Sequence, residues 1–166
     1  MAKPEVLPKR LDVLDVADPA CSFRVNVDVI NEAFGAECNP PYMRAVYPRK
    51  ESEILWEKNT KERLIVWMPK LYGNSSEWRN TLSEDGTKIY EVAEGKRTHD
   101  WTEDGFDPDL LRLVFVQKKA KEPYVFVGAF KIEKLEHCNH VFSRIATKVR
   151  LIGQHVKFVE LLDDNR

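Results

Sequence analysis

The stretch from Leu110 to Ile152 most constrains what this chain can fold into. It holds three runs dense in β-branched and aromatic residues, LLRLVFVQKK, YVFVGAFKIEKL and HVFSRIATKVRLI, separated by polar breaks. In the middle run Tyr124, Phe126, Gly128 and Phe130 alternate with Val125, Val127, Ala129 and Lys131, the period-2 pattern of a central or half-buried strand. The break KAKEP ends in Pro123, as a hairpin loop does, and EHCNH is a longer polar connection. Strands joined this closely pair antiparallel, because a parallel neighbour needs a crossover of about a dozen residues or more. A three-stranded antiparallel meander is the expected centre of the fold.

The remaining segments add short strands around it. Residues 1–10 carry two prolines and no periodicity and read as an extended arm, while Leu11, Val13 and Val16 fit a strand or a helical turn equally. NVDVINEAFGAE has Asn26 as an N-cap, Val27, Ile30 and Phe34 at helical spacing, and Gly35 as a stop, so one short helix is expected. After Pro40 and Pro41, MRAVYP starts a strand that Pro48 ends. ILWEKN and RLIVWMPKL read as one hairpin, and WRNTL and TKIYEVAE as a second, turning at Asp85-Gly86. The acidic, aperiodic stretch from Gly95 to Pro108 reads as a surface loop, and a last strand runs through Val156, Phe158 and Leu161 before the polar tail 163–166. This pattern predicts a single α+β domain over residues 1–166, mostly antiparallel β, with seven or eight strands closed or nearly closed into one β-barrel and one or two short helices. No strand is followed by a helix long enough to serve as a parallel crossover.

Composition narrows the setting. The net charge of −1 argues against nonspecific coating of nucleic acid, yet charge is segregated: nine Lys or Arg stand against three Glu between Lys118 and Lys157. The three cysteines lack a disulfide spacing and point to a reducing, cytoplasmic location. No run approaches the roughly 20 apolar residues of a membrane span, so no membrane partner is expected.

The strand VFVGAFKI, preceded by a strand that ends in charged residues, resembles the central strand of PUA-like barrels, a superfamily that includes ASCH, EVE and SRA-type modules. The resemblance spans Leu111 to Val149. It implies a nucleic-acid-binding module, DNA or RNA, that places one base, plain or modified, in a pocket beside the barrel.

The residues supply candidates for such a pocket on physical grounds. A flipped base needs aromatic faces, amides for its hydrogen-bonding edge, and cations for the flanking phosphates. Trp78, Arg79 and Asn80 lie together beside a turn with Tyr72 upstream, and are the candidates for the base; Trp56 and Trp67 fit a core better. In FSRIATKVR, strand alternation puts Arg144, Lys148 and Arg150 on one face, a row that could track phosphates or simply keep an edge strand soluble. His137, Cys138 and His140 lack a second ligand pair, so no metal and no other cofactor is expected. Asp85, Glu94 and Lys96, and Asp109 with Gln117 and Lys119, resemble the PD-(D/E)xK nuclease pattern in which carboxylates hold Mg²⁺. The leading expectation is a base-recognising module without catalytic residues. The alternatives are an Mg²⁺-dependent nuclease and a protein-interaction barrel.

Overall fold

The computed structural model describes residues 10–42, 44–47, 54–56, 63–72, 78–93, 110–136 and 139–163. Twelve strands lie among them: β1 (Val13–Asp15), β2 (Ser22–Phe23), β3 (Val46–Tyr47), β4 (Ile54–Trp56), β5 (Arg63–Trp67), β6 (Trp78–Leu82), β7 (Lys88–Ala93), β8 (Leu111–Gln117), β9 (Tyr124–Glu136), β10 (Asn139–Ala146), β11 (Lys148–Ile152) and β12 (Phe158–Leu161). They form one sheet in the order β1-β11-β12-β4-β5-β8-β9-β10-β7-β6, with β2 added on β9 and β3 on β5. The expected meander is present: β8 pairs antiparallel with β9, and β9 with β10. Both expected hairpins are present as β4–β5 and β6–β7.

The fold is α+β and mostly antiparallel, with departures from expectation. Strands β1 and β2 are two or three residues long, too short to show a period, and with the division of the third run into β10 and β11 they help raise the count to twelve. Two pairs are parallel, β5 with β8 and β12 with β4. Among the described residues the crossover from β5 to β8 carries the β6–β7 hairpin and no helix, so helix spacing gave no warning of it. The ends of the path, β1 and β6, do not pair with each other among the described residues, so the sheet is not closed by hydrogen bonds into a barrel.

The third run is broken by Thr147. Asp163 accepts hydrogen bonds from the backbone N–H groups of Thr147 and Lys148, each at 2.8 Å, and from the Thr147 hydroxyl. Burial disfavours the ionised Asp163 carboxylate, but these donors outweigh it and hold its pKa below the usual carboxylate range. The break thus exchanges two ladder positions for a charged acceptor.

The middle run also departs from simple alternation. Opposite β8, Gly128 pairs with Val114 but Phe126 pairs with Phe115, so Val127 is an extra residue, a β-bulge. Gly128 has φ +127°, a region that side chains rarely tolerate. Through this bulge the faces exchange: Phe126 belongs to the main core and Phe130 to the smaller one on the opposite face, correcting the expectation that they share a face. The main core gathers Leu64, Val66, Leu113, Phe115 and Phe126 beneath the helical segment, and the smaller one gathers Trp67, Ile89, Val114, Phe130 and Phe142. Phe34, Phe115, Phe126, Phe130 and Phe142 are fully buried, each contributing roughly 1.5–3 kcal/mol of transfer free energy.

The helical segment is one α-turn, α1 (Asn26–Asp28), widened into a π-turn over Val29–Ala33, and the chain leaves it through Phe34 and Gly35. Asn26 is not the N-cap. Val25 holds that position without a side-chain bond, and the Asn26 amide reaches a different segment.

Candidate nucleic-acid interface

A cavity of about 610 Å³ opens beside the end of β5, lined by residues of both cores. Its first wall is the segment between α1 and β3. The Asn26 Nδ2 donates to the Tyr42 carbonyl at 2.6 Å and to the Arg44 carbonyl at 3.3 Å, the Tyr42 hydroxyl donates to the Val46 carbonyl at 2.6 Å, and Met68 N–H donates to the Ala45 carbonyl at 2.7 Å. These bonds fix Tyr42 and Arg44 at the cavity edge. The second wall follows β5, where Lys70 and Tyr72 lie against the end of β8. The Tyr72 hydroxyl donates to Gln117 Oε1 at 2.6 Å, and Gln117 Nε2 donates to the Glu122 carbonyl at 2.9 Å, so a buried glutamine anchors the tyrosine from behind. Tyr124 stands beside it; burial raises the pKa of its phenol, and Tyr72 adds to the shift.

The floor comes from the strands beyond the core. Asn80 pairs with Glu91 across β6 and β7, and Glu91 pairs with His140 across β7 and β10, so the three side chains form one row on one face. Glu91 and Asn80 line the cavity. His140, 1% exposed, has Nδ1 at 2.8 Å from Glu91 Oε1. A carboxylate only accepts, so Nδ1 carries the proton in this contact. The Arg112 guanidinium packs on both Trp67 and Phe142, 5.0 and 4.7 Å from their ring centroids, which are themselves 5.1 Å apart. Burial lowers its pKa, and the negative charge of Glu91 opposes that shift. Asn80 Oδ1 is buried and has no hydrogen-bond partner among the described residues.

This enclosure is the right size for a flat heterocycle, which typical ligand cavities of about 300–1,000 Å³ accommodate. Tyr42, Tyr72 and Tyr124 line it as aromatic residues, the Asn80 amide and Glu91 carboxylate supply a polar edge, and exposed Arg44 and Lys70 stand at the rim as cations.

The expected site residues divide accordingly. Tyr72 and Asn80 meet in the cavity. Trp78 opens β6 next to them, but its side chain lies outside the described residues, as do Glu94, Lys96, Asp109, His137 and Cys138. Arg79 is exposed on β6 and alternates away from Asn80. Arg144 runs across Gly128, its Nη1 3.4 Å from the Val127 carbonyl. Lys148 and Arg150 face Asp15 at 3.9 Å and Glu160 at 3.1 Å on β11, toward the other end of the sheet path. A register shift between Arg144 and Ala146, followed by the break at Thr147, interrupts the alternation that put these three cations in one row.

Among the described residues no group of three or more metal-ligand side chains converges, and Asp85 spends its Oδ1 on Ser83 and Thr87 within its turn. Gln117, part of the second nuclease-like spacing, is spent on Tyr72 and Glu122.

Sequence reasoning missed Tyr42, Arg44, Lys70, Glu91, Arg112 and Tyr124. One signal was available. Ile89, Glu91 and Ala93 share a strand face on which the two apolar residues are buried, so a glutamate between them is out of pattern.

Comparison with known proteins agrees with this geometry. Residues 9–151 match the family described as "SET and RING associated domain", SRA. Among solved structures, the chain is similar to one titled "The 5-Hydroxymethylcytosine-Specific Restriction Enzyme AbaSI", with 24% identity and a TM-score of 0.62. That likeness covers 84% of this chain and 42% of the other, so the chain spans less than half the length of that enzyme. No curated protein matches. The chain belongs to the SRA domain family, and is accordingly a nucleic-acid-binding, base-recognising module of PUA-like type.

Proposed function

We propose that this module reads a modified cytosine in DNA by taking the base out of the stack into the cavity beside β5. The observation that carries the reading is the pairing of tyrosine faces with an incompletely satisfied polar edge: Tyr42, Tyr72 and Tyr124 around Asn80 and Glu91. A buried amide oxygen without a donor favours a ligand that brings one, and the exocyclic amino group of cytosine is such a donor. The similar solved enzyme is specific for 5-hydroxymethylcytosine by its title, which makes a 5-substituted cytosine the first ligand to test. In this reading Tyr72 and Asn80 contact the base, Trp78 and Arg79 lie at its approach, and Arg44 and Lys70 take the nearest phosphates. Arg144, Lys148 and Arg150 contribute to the path of the backbone farther out, the last two by exchanging carboxylate partners for phosphates. RNA as a further partner and a cytoplasmic location suited to the free thiols of Cys21 and Cys38 belong to the same proposal.

The test is fluorescence anisotropy with duplexes carrying cytosine, 5-methylcytosine or 5-hydroxymethylcytosine at one position, with matched RNA, at two salt concentrations. Saturable binding that prefers a 5-substituted cytosine and weakens with salt supports the reading. Equal affinity for all three duplexes refutes base reading, and Tyr72→Ala that binds as tightly as wild type removes the cavity from the site.

A further inference from the structure

The row Asn80–Glu91–His140 holds more than a base contact requires. Glu91 keeps 15% of its side chain exposed on the cavity wall, whereas the His140 side chain is fully buried behind it. His140 therefore cannot touch a base itself. Its Nδ1 bond fixes one oxygen of Glu91, and its ring is further held edge-on by Phe142, with centroids 6.0 Å apart. Phe142 also carries the Arg112 guanidinium, 4.7 Å from its centroid. Strands β7 and β10 thus meet at one carboxylate.

We propose that His140 is a positioning residue that holds the Glu91 carboxylate toward the cavity as an obligate acceptor, so that the pocket admits amino-bearing bases and rejects keto ones. This rests on the base-reading function above and extends it to the origin of selectivity. An ionised carboxylate has no proton to give, so it pairs with the amino group of cytosine and repels the carbonyl oxygen that uracil carries at the same place. Orientation matters equally. Without the Nδ1 donor the carboxylate is free to swing out of the base plane, and discrimination falls while stacking and phosphate contacts persist. A purely structural histidine would affect affinity for every duplex alike.

The experiment compares duplexes in which one position carries 5-hydroxymethylcytosine or 5-hydroxymethyluracil, read by anisotropy for wild type, Glu91→Gln, His140→Asn and His140→Phe. Thermal melts monitored by circular dichroism accompany each variant. Glutamine can donate as well as accept, so Glu91→Gln should lower the cytosine-to-uracil affinity ratio by about tenfold. His140→Phe fills the space without a donor and should lower the ratio similarly, while the 5-hydroxymethyluracil duplex binds no more weakly than to wild type. Asparagine places an N–H near the position of Nδ1, so His140→Asn should restore most of the ratio and keeps the inference testable should His140→Phe not fold. A wild-type ratio in His140→Phe, or an equal loss of ratio in His140→Asn and His140→Phe, overturns the positioning role. An unchanged ratio in Glu91→Gln overturns the selectivity of Glu91 yet leaves base reading intact. Absence of modified-base binding by wild type overturns base reading itself, which separates the two failures.

Discussion

Replacing Gly128 by alanine tests the central bulge on which both cores depend. At φ +127° an L side chain costs about 1–3 kcal/mol of backbone strain. A Cβ added there would lie 2.5 Å from Arg144 Cδ, 2.9 Å from Arg144 Cγ and 2.9 Å from the Ala146 carbonyl oxygen. The arginine stem can move aside, but the carbonyl belongs to the neighbouring strand and cannot without opening the β9–β10 ladder, as overpacking of about 1–3 kcal/mol reflects. The two effects overlap, because a shifted strand relieves part of the strain, and together they predict a loss of about 3 kcal/mol. In a chain of this length that lowers Tm by roughly 6–12 °C. Urea unfolding followed by circular dichroism and tryptophan fluorescence measures it, and the double variant Gly128→Ala/Arg144→Ala should recover less than half, since only the side-chain part of the clash is removed. A loss below about 1 kcal/mol, or full recovery in the double variant, would show that the strand relaxes freely and that the bulge geometry argued here is wrong.

Three further outcomes follow from single contacts. Tyr72→Phe leaves Gln117 Oε1 without its donor and should destabilise the fold by about 1–2 kcal/mol in urea unfolding; an unchanged midpoint refutes the anchoring of that wall. Asn26→Ala frees the Tyr42 and Arg44 carbonyls and should cost about 1–2 kcal/mol while weakening binding of the 5-hydroxymethylcytosine duplex; full retention of both would detach the helical segment from the site. Asp85 is held at a pKa of about 2, first by the Thr87 hydroxyl and then by the Thr87 N–H and the Ser83 hydroxyl. Its folded pKa lies below the ordinary 3.8, so its contribution is complete above 3.8 and lost as pH falls through about 2. Asp85→Asn should flatten stability against pH in that window, and an unchanged acid slope refutes the assignment.

The meander, both hairpins and the Asp85-Gly86 turn were legible because each is local: apolar alternation interrupted by turn residues within a dozen positions. Gly86 does lie at φ +77°, as that turn requires. The partners of β5 were not legible, since its neighbour β8 begins 44 positions after the end of β5 and nothing local encodes that pairing. Bulges escaped for a related reason. Glycine at 128 is visible, but whether it marks a bulge or a close approach depends on Arg144 and Ala146 in another strand. The same limits governed the site. Asn80 and Tyr72 were found from a cluster of polar and aromatic residues beside a turn, whereas Glu91 and His140 lie 49 positions apart and meet only through cross-strand register. The Arg144, Lys148 and Arg150 row failed as a single row because alternation holds only while a strand stays regular.

The place of the cavity follows from where the sheet outgrows its core. Strands β5 and β8 bury apolar side chains on both faces, so their surfaces are used up by packing. Beyond β9 the sheet continues into β10, β7 and β6, where apolar cover on the inner face thins and polar residues enter the row. A half-buried carboxylate and guanidinium are tolerated there because each is compensated, Glu91 by His140 and Arg112 by two aromatic rings. The compensation stops at Asn80, whose buried Oδ1 lacks a donor among the described residues, a deficit of about 1–3 kcal/mol relative to a satisfied amide. A ligand that supplies a donor to this edge recovers part of that deficit, and one that presents a carbonyl adds to it. The polar row therefore gives the pocket a sign as well as a shape, and under the proposed base reading that sign is the basis for expecting the amino edge of cytosine over the keto edge of thymine or uracil.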